Sequence, residues 1–327
     1  MIGSRPLYDN LADTRLFVPP RAWDPVLRAV KRRLNVAVLG PRGVGKTSLL
    51  RRLQLVLRDR AEPVAFADAT AVDDVLELAS RIRDALTEPP AAGAPLTAEA
   101  FRRPDSPLAG ASRVLQALLG EIGEAPPSVV LVDGSASAPA CFELFGRMRD
   151  VLWQQPHRWV LALEDADRAT ALRPPADAFF DTVVELAPWS ADELIELLDR
   201  RADPDAPPEV IAAAATAARG SPREAVRALS DALVNGRDPA SMLDARGLLV
   251  DRASEQGRPA GMLMAELLER GQASPSDEDL QRTLGVSRAR LNQLFRQLQD
   301  HGLVRAETER AAGPGRPRAV YRPSLPR

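Results

Sequence analysis

Residues 35–57 read NVAVLGPRGVGKTSLLRRLQLVL, and they contain three successive patterns. Residues 36–39 are apolar and partly β-branched, which is typical of a buried strand. Leucines at positions 49, 50, 53 and 57 recur at the spacing of a helix. Between them, residues 40–47 have the form GxxxxGKT. That form indicates a phosphate-binding loop when it joins a strand to a helix, and here it does.

The residue types in this loop suit a phosphate chain. Glycines let backbone N–H groups turn toward phosphate oxygens, and the helix N-terminus adds a partial positive charge. Lys46 is predicted to contact the β- and γ-phosphates and the Thr47 hydroxyl to ligate Mg²⁺. We therefore predict that the chain binds a nucleoside triphosphate with Mg²⁺. The predicted binding residues are Gly40, Pro41, Arg42, Gly43, Val44, Gly45, Lys46, Thr47 and Ser48.

A second strand end supplies a carboxylate. Residues 128–133 read SVVLVD, an apolar run that ends in Asp133 and follows a Pro-Pro break. This is a Walker B pattern, and Asp133 is predicted to hold Mg²⁺ through water. Gly134 follows, where hydrolytic P-loop proteins usually carry the glutamate that orients water. Glu164 and Asp165, which end the apolar run 159–163, are an alternative source of that carboxylate. Hydrolysis is therefore left open.

Strands that alternate with helices predict the α/β class with a doubly wound parallel sheet. Three helices then follow, beginning near Ser190, Pro208 and Ser221. The third begins Ser-Pro-Arg-Glu, with serine at the N-cap and proline at the first helical position. Arg223 is therefore expected in the first turn of that helix, at its N-terminal end.

These motifs carry a family resemblance. With a P-loop domain, a strand closing with Leu-x-Pro-Trp-Ser at 186–190, a small helical lid and a Gly-x-Pro-Arg turn at 220–223, residues 8–245 resemble the AAA+ ATPases. The similar branches are the origin-recognition and initiator-loader ATPases and the STAND signalling ATPases. The resemblance implies ATP as the nucleotide and oligomers formed through the AAA+ domains.

The resemblance also assigns residues. Arg223 corresponds to sensor 2, which contacts the γ-phosphate, and Phe17 and Val18 correspond to the segment that wraps the adenine. Arg173, with Arg168 as the alternative, corresponds to the arginine finger that acts on a neighbouring subunit. The residues implied for catalysis are Lys46, Asp133, Arg223 and Arg173. The sequence departs from the family pattern at Pro19, where many relatives have glycine, and at Glu164 or Asp165, where sensor 1 is usually asparagine or threonine.

The last 70 residues predict a winged helix-turn-helix. Helices are expected over 262–270, 276–284 and 288–300, strands over 303–306 and 319–322, and a wing over 312–318. From residue 258 onward the chain has 12 arginines and eight acidic residues, a net charge of +4, whereas the preceding 257 residues carry −6. The residues predicted to contact duplex DNA are Arg288, Arg290, Asn292, Gln293, Arg296, Arg316 and Arg318. The alternative is a module that docks on protein.

Length and composition set the limits. The 327 residues are predicted to form a P-loop domain (1–188) with a flexible insertion (88–112), a helical lid (189–250) and the winged helix (251–327). One cysteine and two histidines exclude an internal disulfide, a His/Cys metal site and a Ser-His-Asp hydrolase. We expect no signal peptide, no membrane segment and a cytoplasmic location. Only two of the 43 basic residues are lysine, a bias typical of bacterial coding.

The sequence therefore predicts an ATP-binding, ATP-hydrolysing AAA+ protein that binds duplex DNA through its winged helix under nucleotide control. A second hypothesis is a STAND-like switch that hydrolyses little nucleotide and whose winged helix mediates protein interactions. A third is a transcription regulator whose P-loop domain only senses nucleotide. The DNA site, the oligomeric state and any partner protein stay open.

Overall fold

The structure is a computed structural model that describes residues 15–69, 72, 74–87, 109–134, 138–309 and 318–324. Contacts between residues divide the chain after Ser230 into two compact units, and each is described by itself. Among the described residues, no helix combines the length and apolar character needed to cross a bilayer.

The first unit is built on a five-stranded sheet in which every neighbouring pair is parallel. Its strands are β1 (Val36–Gly40), β2 (Val64–Asp68), β3 (Val129–Asp133), β4 (Arg158–Glu164) and β5 (Thr182–Glu185). Their order across the sheet is β2-β3-β4-β1-β5. β1 therefore lies between β4 and β5, and β4 separates it from β3. This confirms the predicted α/β class with a parallel sheet.

Helices cover both faces of this sheet. They are α1 (Trp23–Lys31), α2 (Lys46–Asp59), α3 (Val75–Thr87), α4 (Ala109–Glu124), α5 (Ala138–Phe142), α6 (Arg149–Trp153), α7 (Arg168–Ala171), α8 (Ala191–Asp199), α9 (Pro208–Ala217) and α10 (Pro222–Asn235). Alternate residues of the central strands join two cores: Leu39, Val132 and Leu161 pack with α3 and α4, whereas Val38 and Leu131 pack with α1 and α2. Both faces are buried, so these strands are apolar at nearly every position.

Two local predictions were wrong. The apolar residues at positions 142, 144, 145, 148, 151 and 152 predict one helix over 142–153, but a π-helical turn at Glu143–Arg147 separates α5 from α6. The predicted insertion over 88–112 is also too long, because residues 109–112 already belong to α4. The rest of it, 88–108, lies outside the described residues.

The helices α8 to α10 follow β5 as predicted, and we call them the lid helices. The capping box at the start of α8 is confirmed: the Glu193 N–H donates to Ser190 Oγ at 3.3 Å, and the Ser190 N–H donates to Glu193 Oε2 at 2.7 Å. Two orphan N–H groups at the helix start are thereby satisfied.

The second unit contains four helices and an antiparallel hairpin. They are α11 (Pro239–Glu255), α12 (Arg258–Arg270), α13 (Glu278–Leu284), α14 (Arg288–Asp300), β6 (Val304–Glu309) and β7 (Arg318–Pro323). Ala273 forms a bridge to Tyr321 of β7, whose ring stacks on Phe295 at 4.4 Å between centroids. The order of elements after residue 257 is consistent with the predicted winged helix-turn-helix. Residues 310–317, which include most of the predicted wing, lie outside the described residues.

The division at Ser230 differs from the predicted lid boundary at residue 250. Residues 231–250, which were assigned to the lid, lie in the second unit. Leu249 and Ala253 of α11 are buried in the same cluster as Leu263 and Leu267 of α12. The apolar side of α11 therefore packs with the C-terminal helices. The boundary at residue 188 stays a prediction.

His157 is a buried titratable residue that directly precedes β4. Its Nε2 lies 2.7 Å from the Ile122 carbonyl oxygen, and its Nδ1 lies 3.3 Å from the Ser128 backbone nitrogen. One ring nitrogen donates and the other accepts, which is possible only for the neutral imidazole. Burial lowers the pKa of His157 below its ordinary value.

The lowered pKa of His157 has a consequence for stability. The unfolded chain takes up a proton near the ordinary pKa and the folded chain does not, so stability is present above that pH and lost as the pH falls. We expect the free energy of unfolding to fall between pH 7 and 5.5, by at most about 1.4 kcal/mol per pH unit from this group. In His157→Gln, whose amide keeps one donor and one acceptor, the fall should be smaller. Urea unfolding at each pH measures both, and identical pH profiles would contradict the assignment.

Candidate nucleotide-binding site

The candidate site lies at the carboxyl edge of the parallel sheet, where β1, β3 and β4 end. Gly40 of β1 pairs with Glu164 of β4, and Asp133 of β3 pairs with Ala162, two residues earlier in β4. The phosphate loop and the Walker B carboxylate are therefore separated by one strand, whose last residue is Glu164.

The loop from Pro41 to Gly45 leads directly into α2. Gly45 is the N-cap of that helix with φ of +108°, a conformation that glycine adopts without steric cost. Among the described residues, no side chain caps this helix end. Its first N–H groups are therefore placed to bind an anion, as the predicted loop requires.

Lys46 is buried at the start of α2, with 6% of its surface exposed. Its Nζ donates to the carbonyl oxygens of Gly40 at 2.8 Å and Pro41 at 3.0 Å. Burial lowers the pKa of Lys46, while the charges of Glu164 and Asp133 oppose that shift. The ammonium group thus sits against the loop at the point where carboxylates converge.

Thr47 and Asp133 are brought together as the predicted metal pair. Thr47 Oγ1 donates to Asp133 Oδ2 at 2.6 Å, and Asp133 is buried with 4% exposure. A hydroxyl and a carboxylate oxygen are the hard ligands that Mg²⁺ prefers. These residues therefore fit Mg²⁺ beside the loop, and their role as ligands stays a prediction.

Two groups from the part of the chain that follows β5 donate hydrogen bonds to backbone carbonyls of the phosphate loop. The Arg223 N–H donates to the Gly43 carbonyl at 3.3 Å, and the Trp189 indole N–H donates to the Val44 carbonyl at 3.1 Å. The Trp189 N–H in turn donates to Gly220 at 3.0 Å, where φ is +88° and a Cβ would lie 2.6 Å from Pro188 Cβ. Arg223 therefore lies against the loop, as its predicted role requires. The contact made by Trp189 was not predicted from the sequence, where this residue stands out only as part of the Leu-x-Pro-Trp-Ser motif.

The N-terminal segment predicted to contact the adenine base forms polar contacts with α8 and with its C-cap residue, Arg200. Phe17 and Val18 are buried, and the Phe17 ring packs edge-to-face on Trp23 at 5.4 Å. Arg200 of the lid donates to the Phe17 carbonyl at 2.7 Å, and Arg21 pairs with Glu193 at 2.8 Å. The segment therefore lies between the nucleotide domain and the lid, and its contacts with adenine stay predictions.

The two candidate arginine fingers make contacts within their own unit. The Arg173 guanidinium lies 3.9 Å from the ring centroid of Phe142, and Arg168 pairs with Glu185 at 2.6 Å. Both line a cavity of about 460 Å³ together with Asp165 and Asp177. A finger acts on a neighbouring subunit, so a single chain leaves this assignment untested.

The predicted DNA-contacting residues lie mostly on α14. Arg288, Arg290, Gln293 and Arg296 are exposed and Asn292 is half-buried. Two hydrogen bonds join residues of this set within α14. Arg290 donates to Gln293 Oε1 at 3.1 Å, and Asn292 donates to the Arg288 carbonyl at 3.1 Å. Arg316 lies outside the described residues, and Arg318 begins β7 with its side chain undescribed. DNA contact stays a prediction.

Gly134 is packed closely, so that a side chain there requires its neighbours to shift. A Cβ there would lie 2.8 Å from Leu161 Cδ1, 3.1 Å from the Ala162 carbonyl oxygen and 3.3 Å from Cys141 Sγ. The Gly134 N–H also donates to that Ala162 carbonyl at 2.9 Å. The position after Asp133 therefore disfavours glutamate for a steric reason.

Comparisons with known proteins bear on the fold. The chain matches no family model and no curated protein. It is similar in structure to the Aeropyrum pernix ORC1 protein, solved in complex with DNA, with a TM-score of 0.54 and 16% identity over 100% of this chain and 95% of that one. It is also similar to Cdc6p from Pyrobaculum aerophilum, with a TM-score of 0.53 and 14% identity over 98% and 93% of the two chains. The A. pernix ORC2 protein, solved in ADPNP–ADP complexes, has a TM-score of 0.53 and 16% identity over 98% and 92%. The chain therefore has the AAA+ fold of the Orc1/Cdc6 proteins.

The packing of Gly134 predicts the effect of a single methyl group. We expect Gly134→Ala to lower the free energy of unfolding by about 1–3 kcal/mol, because Leu161 and the β4 backbone must move. Gly120→Ala is the matched control, since nothing lies within 4 Å of its Cβ position in α4. That change should raise stability by about 0.5–1 kcal/mol. Urea unfolding compares the two, and a Gly134→Ala variant as stable as the wild type would contradict the steric argument.

Proposed function

We propose that the chain binds ATP with Mg²⁺ at the phosphate loop, hydrolyses the ATP, and binds duplex DNA through its second unit under nucleotide control. The observation that carries the proposal is the hydrogen bond of 2.6 Å between Thr47 and Asp133, beside the buried ammonium of Lys46. It unites a hydroxyl and a carboxylate that lie 86 positions apart in the sequence. The AAA+ fold supports the same reading.

The residues act on the triphosphate in complementary ways. The open N–H groups at the start of α2 bind phosphate oxygens, and Lys46 exchanges its two carbonyl acceptors for the β- and γ-phosphates. Arg223, whose backbone already contacts Gly43, directs its charge to the γ-phosphate. Mg²⁺, when bound, neutralises charge on the phosphates, and Thr47 and Asp133 would hold it there.

We assign DNA binding to the second unit because of its net positive charge and because of the side chains that α14 exposes. Arginine bonds guanine edges, and asparagine and glutamine bond adenine, when a helix enters a major groove. The net charge of +4 from residue 258 onward favours contact with phosphates. The A. pernix ORC1 protein of similar fold was solved with DNA, which supports the assignment.

Nucleotide control rests on the lid. Arg223 lies in the first turn of α10, and the same helix ends at Asn235, beyond the division between the units at Ser230. A change in the contacts of Arg223 with the γ-phosphate therefore acts on a helix that belongs in part to the second unit. This helix is the element through which ATP would alter DNA binding.

A second candidate is a STAND-like switch that retains nucleotide and rarely hydrolyses it. Gly134 favours it, because the usual position of the catalytic glutamate carries no side chain and is closely packed. Stoichiometric ADP retained through purification, together with no phosphate release, would decide for the switch.

Nucleotide binding is tested at the two lysines of the chain. Lys46→Ala removes the ammonium from the loop and should weaken ATP binding by at least about 100-fold, since a hydrogen bond to a charged group contributes about 1.5–3 kcal/mol and this one meets two phosphates. Lys31→Ala, at the exposed end of α1, is the matched control and should bind ATP as the wild type does. Binding is measured by titration calorimetry, and phosphate release with and without duplex DNA. ATP binding that survives Lys46→Ala would contradict the site.

DNA binding is tested on α14. Replacing Arg288 and Arg296 together by alanine should weaken binding to duplex DNA by about 10–1,000-fold and reduce the slope of log affinity against log salt by about 2. The matched control replaces two exposed arginines on other helices of the same unit, Arg252 and Arg258. Fluorescence anisotropy at several salt concentrations measures both. Equal losses in the two double variants would place the DNA elsewhere, and no binding by the wild type would favour the protein-docking alternative.

A further inference from the structure

Hydrolysis of ATP requires a group that orients the attacking water, and Gly134 has no side chain to do so. The described carboxylates whose charges act on Lys46, or feel its charge, are Asp133, Glu164, Asp165 and Asp167. Asp133 and Glu164 are the last residues of β3 and β4, and Asp165 and Asp167 follow β4. The question is which of the four faces the position of the γ-phosphate.

Three of these four carboxylates are less well placed than Glu164 to orient the water. Asp133 accepts the hydroxyl of Thr47 and belongs to the metal pair. Asp165 is exposed and begins a short 3-10 turn, and Asp167 ends that turn. The Asp167 carboxyl lies near Lys46, whose charge opposes the burial that raises the pKa of Asp167, but it lies three residues beyond the strand.

Glu164 is the last residue of the strand that separates the phosphate loop from Asp133. It pairs in register with Gly40, the residue that begins the loop. Its side chain is half-buried, and burial raises the pKa of Glu164. Lys46, Arg42 and Arg223 all oppose that rise through their positive charges.

The strand register places Glu164 beside the phosphate loop. It is the last residue of β4, it pairs with Gly40 of β1, and β4 lies between β1 and the strand that ends in Asp133. The three cations lie on different elements: Arg42 is in the phosphate loop, Lys46 begins α2, and Arg223 is in the first turn of α10. Glu164 is thus the carboxylate that ends the strand between the loop and Asp133.

We propose that Glu164 is the catalytic residue that orients the attacking water, from β4 instead of from the position after Asp133. The inference rests on the proposed ATPase function. The water oxygen forms a bond to the γ-phosphorus, and the bond from that phosphorus to the β,γ-bridging oxygen breaks, with its electron pair leaving on ADP. The proton of the water passes to the Glu164 carboxylate and then to solvent, so that ADP and inorganic phosphate are the products.

The test separates turnover from binding. Glu164→Gln keeps the size of the side chain but removes the acceptor charge, so kcat should fall by at least about 100-fold. ATP affinity, measured by titration calorimetry, should stay within about threefold because the water contact is made only during the reaction. Glu121→Gln, at an exposed carboxylate of α4 that pairs with Arg83 at 3.2 Å, is the matched control and should keep both quantities within about threefold. Glu164→Asp should restore part of the turnover that Glu164→Gln loses.

Each outcome decides between the proposals. Wild-type turnover in Glu164→Gln overturns the assignment, and so does a loss of ATP binding in parallel with turnover, which would make Glu164 a positioning residue for the loop. If the wild type binds ATP but releases no more phosphate than Lys46→Ala, the catalytic role of Glu164 falls and ATP binding stands. If the wild type binds no ATP, both proposals fall.

Discussion

The buried charge of Lys46 sets the requirements for the carboxyl edge of the sheet. An ammonium group taken out of water costs several kcal/mol unless polar partners compensate it. The Gly40 and Pro41 carbonyls supply direct bonds, and the strand ends bring Asp133 and Glu164 near enough for their charges to act. The parallel pairing of β1, β4 and β3 is what places these groups at one edge. The loop carbonyls accept hydrogen bonds from this ammonium group, and the acidic ends of β3 and β4 stabilise its positive charge.

The lid is attached to the same loop by contacts that depend on backbone shape. The carbonyls of Gly43 and Val44 accept from Arg223 and Trp189, so a change of loop conformation on binding phosphate alters both bonds. The N-terminal segment reaches the lid independently through Arg200. The carbonyls of Gly43, Val44 and Phe17 thus each accept a hydrogen bond from the part of the chain that follows β5.

Local patterns predicted the parts of the site that are local. The phosphate loop is one continuous segment, and the positions of Lys46 and Thr47 follow from it. Asp133 was predictable because carboxyl ends of parallel strands meet at one edge. Glu164 was named from the sequence as an alternative source of the catalytic carboxylate, but its pairing with Gly40 and the contact made by Trp189 depend on which strands are neighbours, which one sequence does not show. The π-helical turn at Glu143–Arg147 was not predicted. Its residue Gly146 lies close to Ala176, 30 positions later, and one sequence does not show that contact either.

The packing around Gly134 constrains how this protein can evolve. Glycine and glutamate codons can differ by one nucleotide, so a glutamate after Asp133 is one mutational step away. The contacts with Leu161, Ala162 and Cys141 would make that step destabilising before it could contribute to chemistry. A glutamate at this position would therefore call for accompanying changes among its neighbours. Its effect would depend on the residues that already stand at positions 141 and 161, which is epistasis between residues in direct contact.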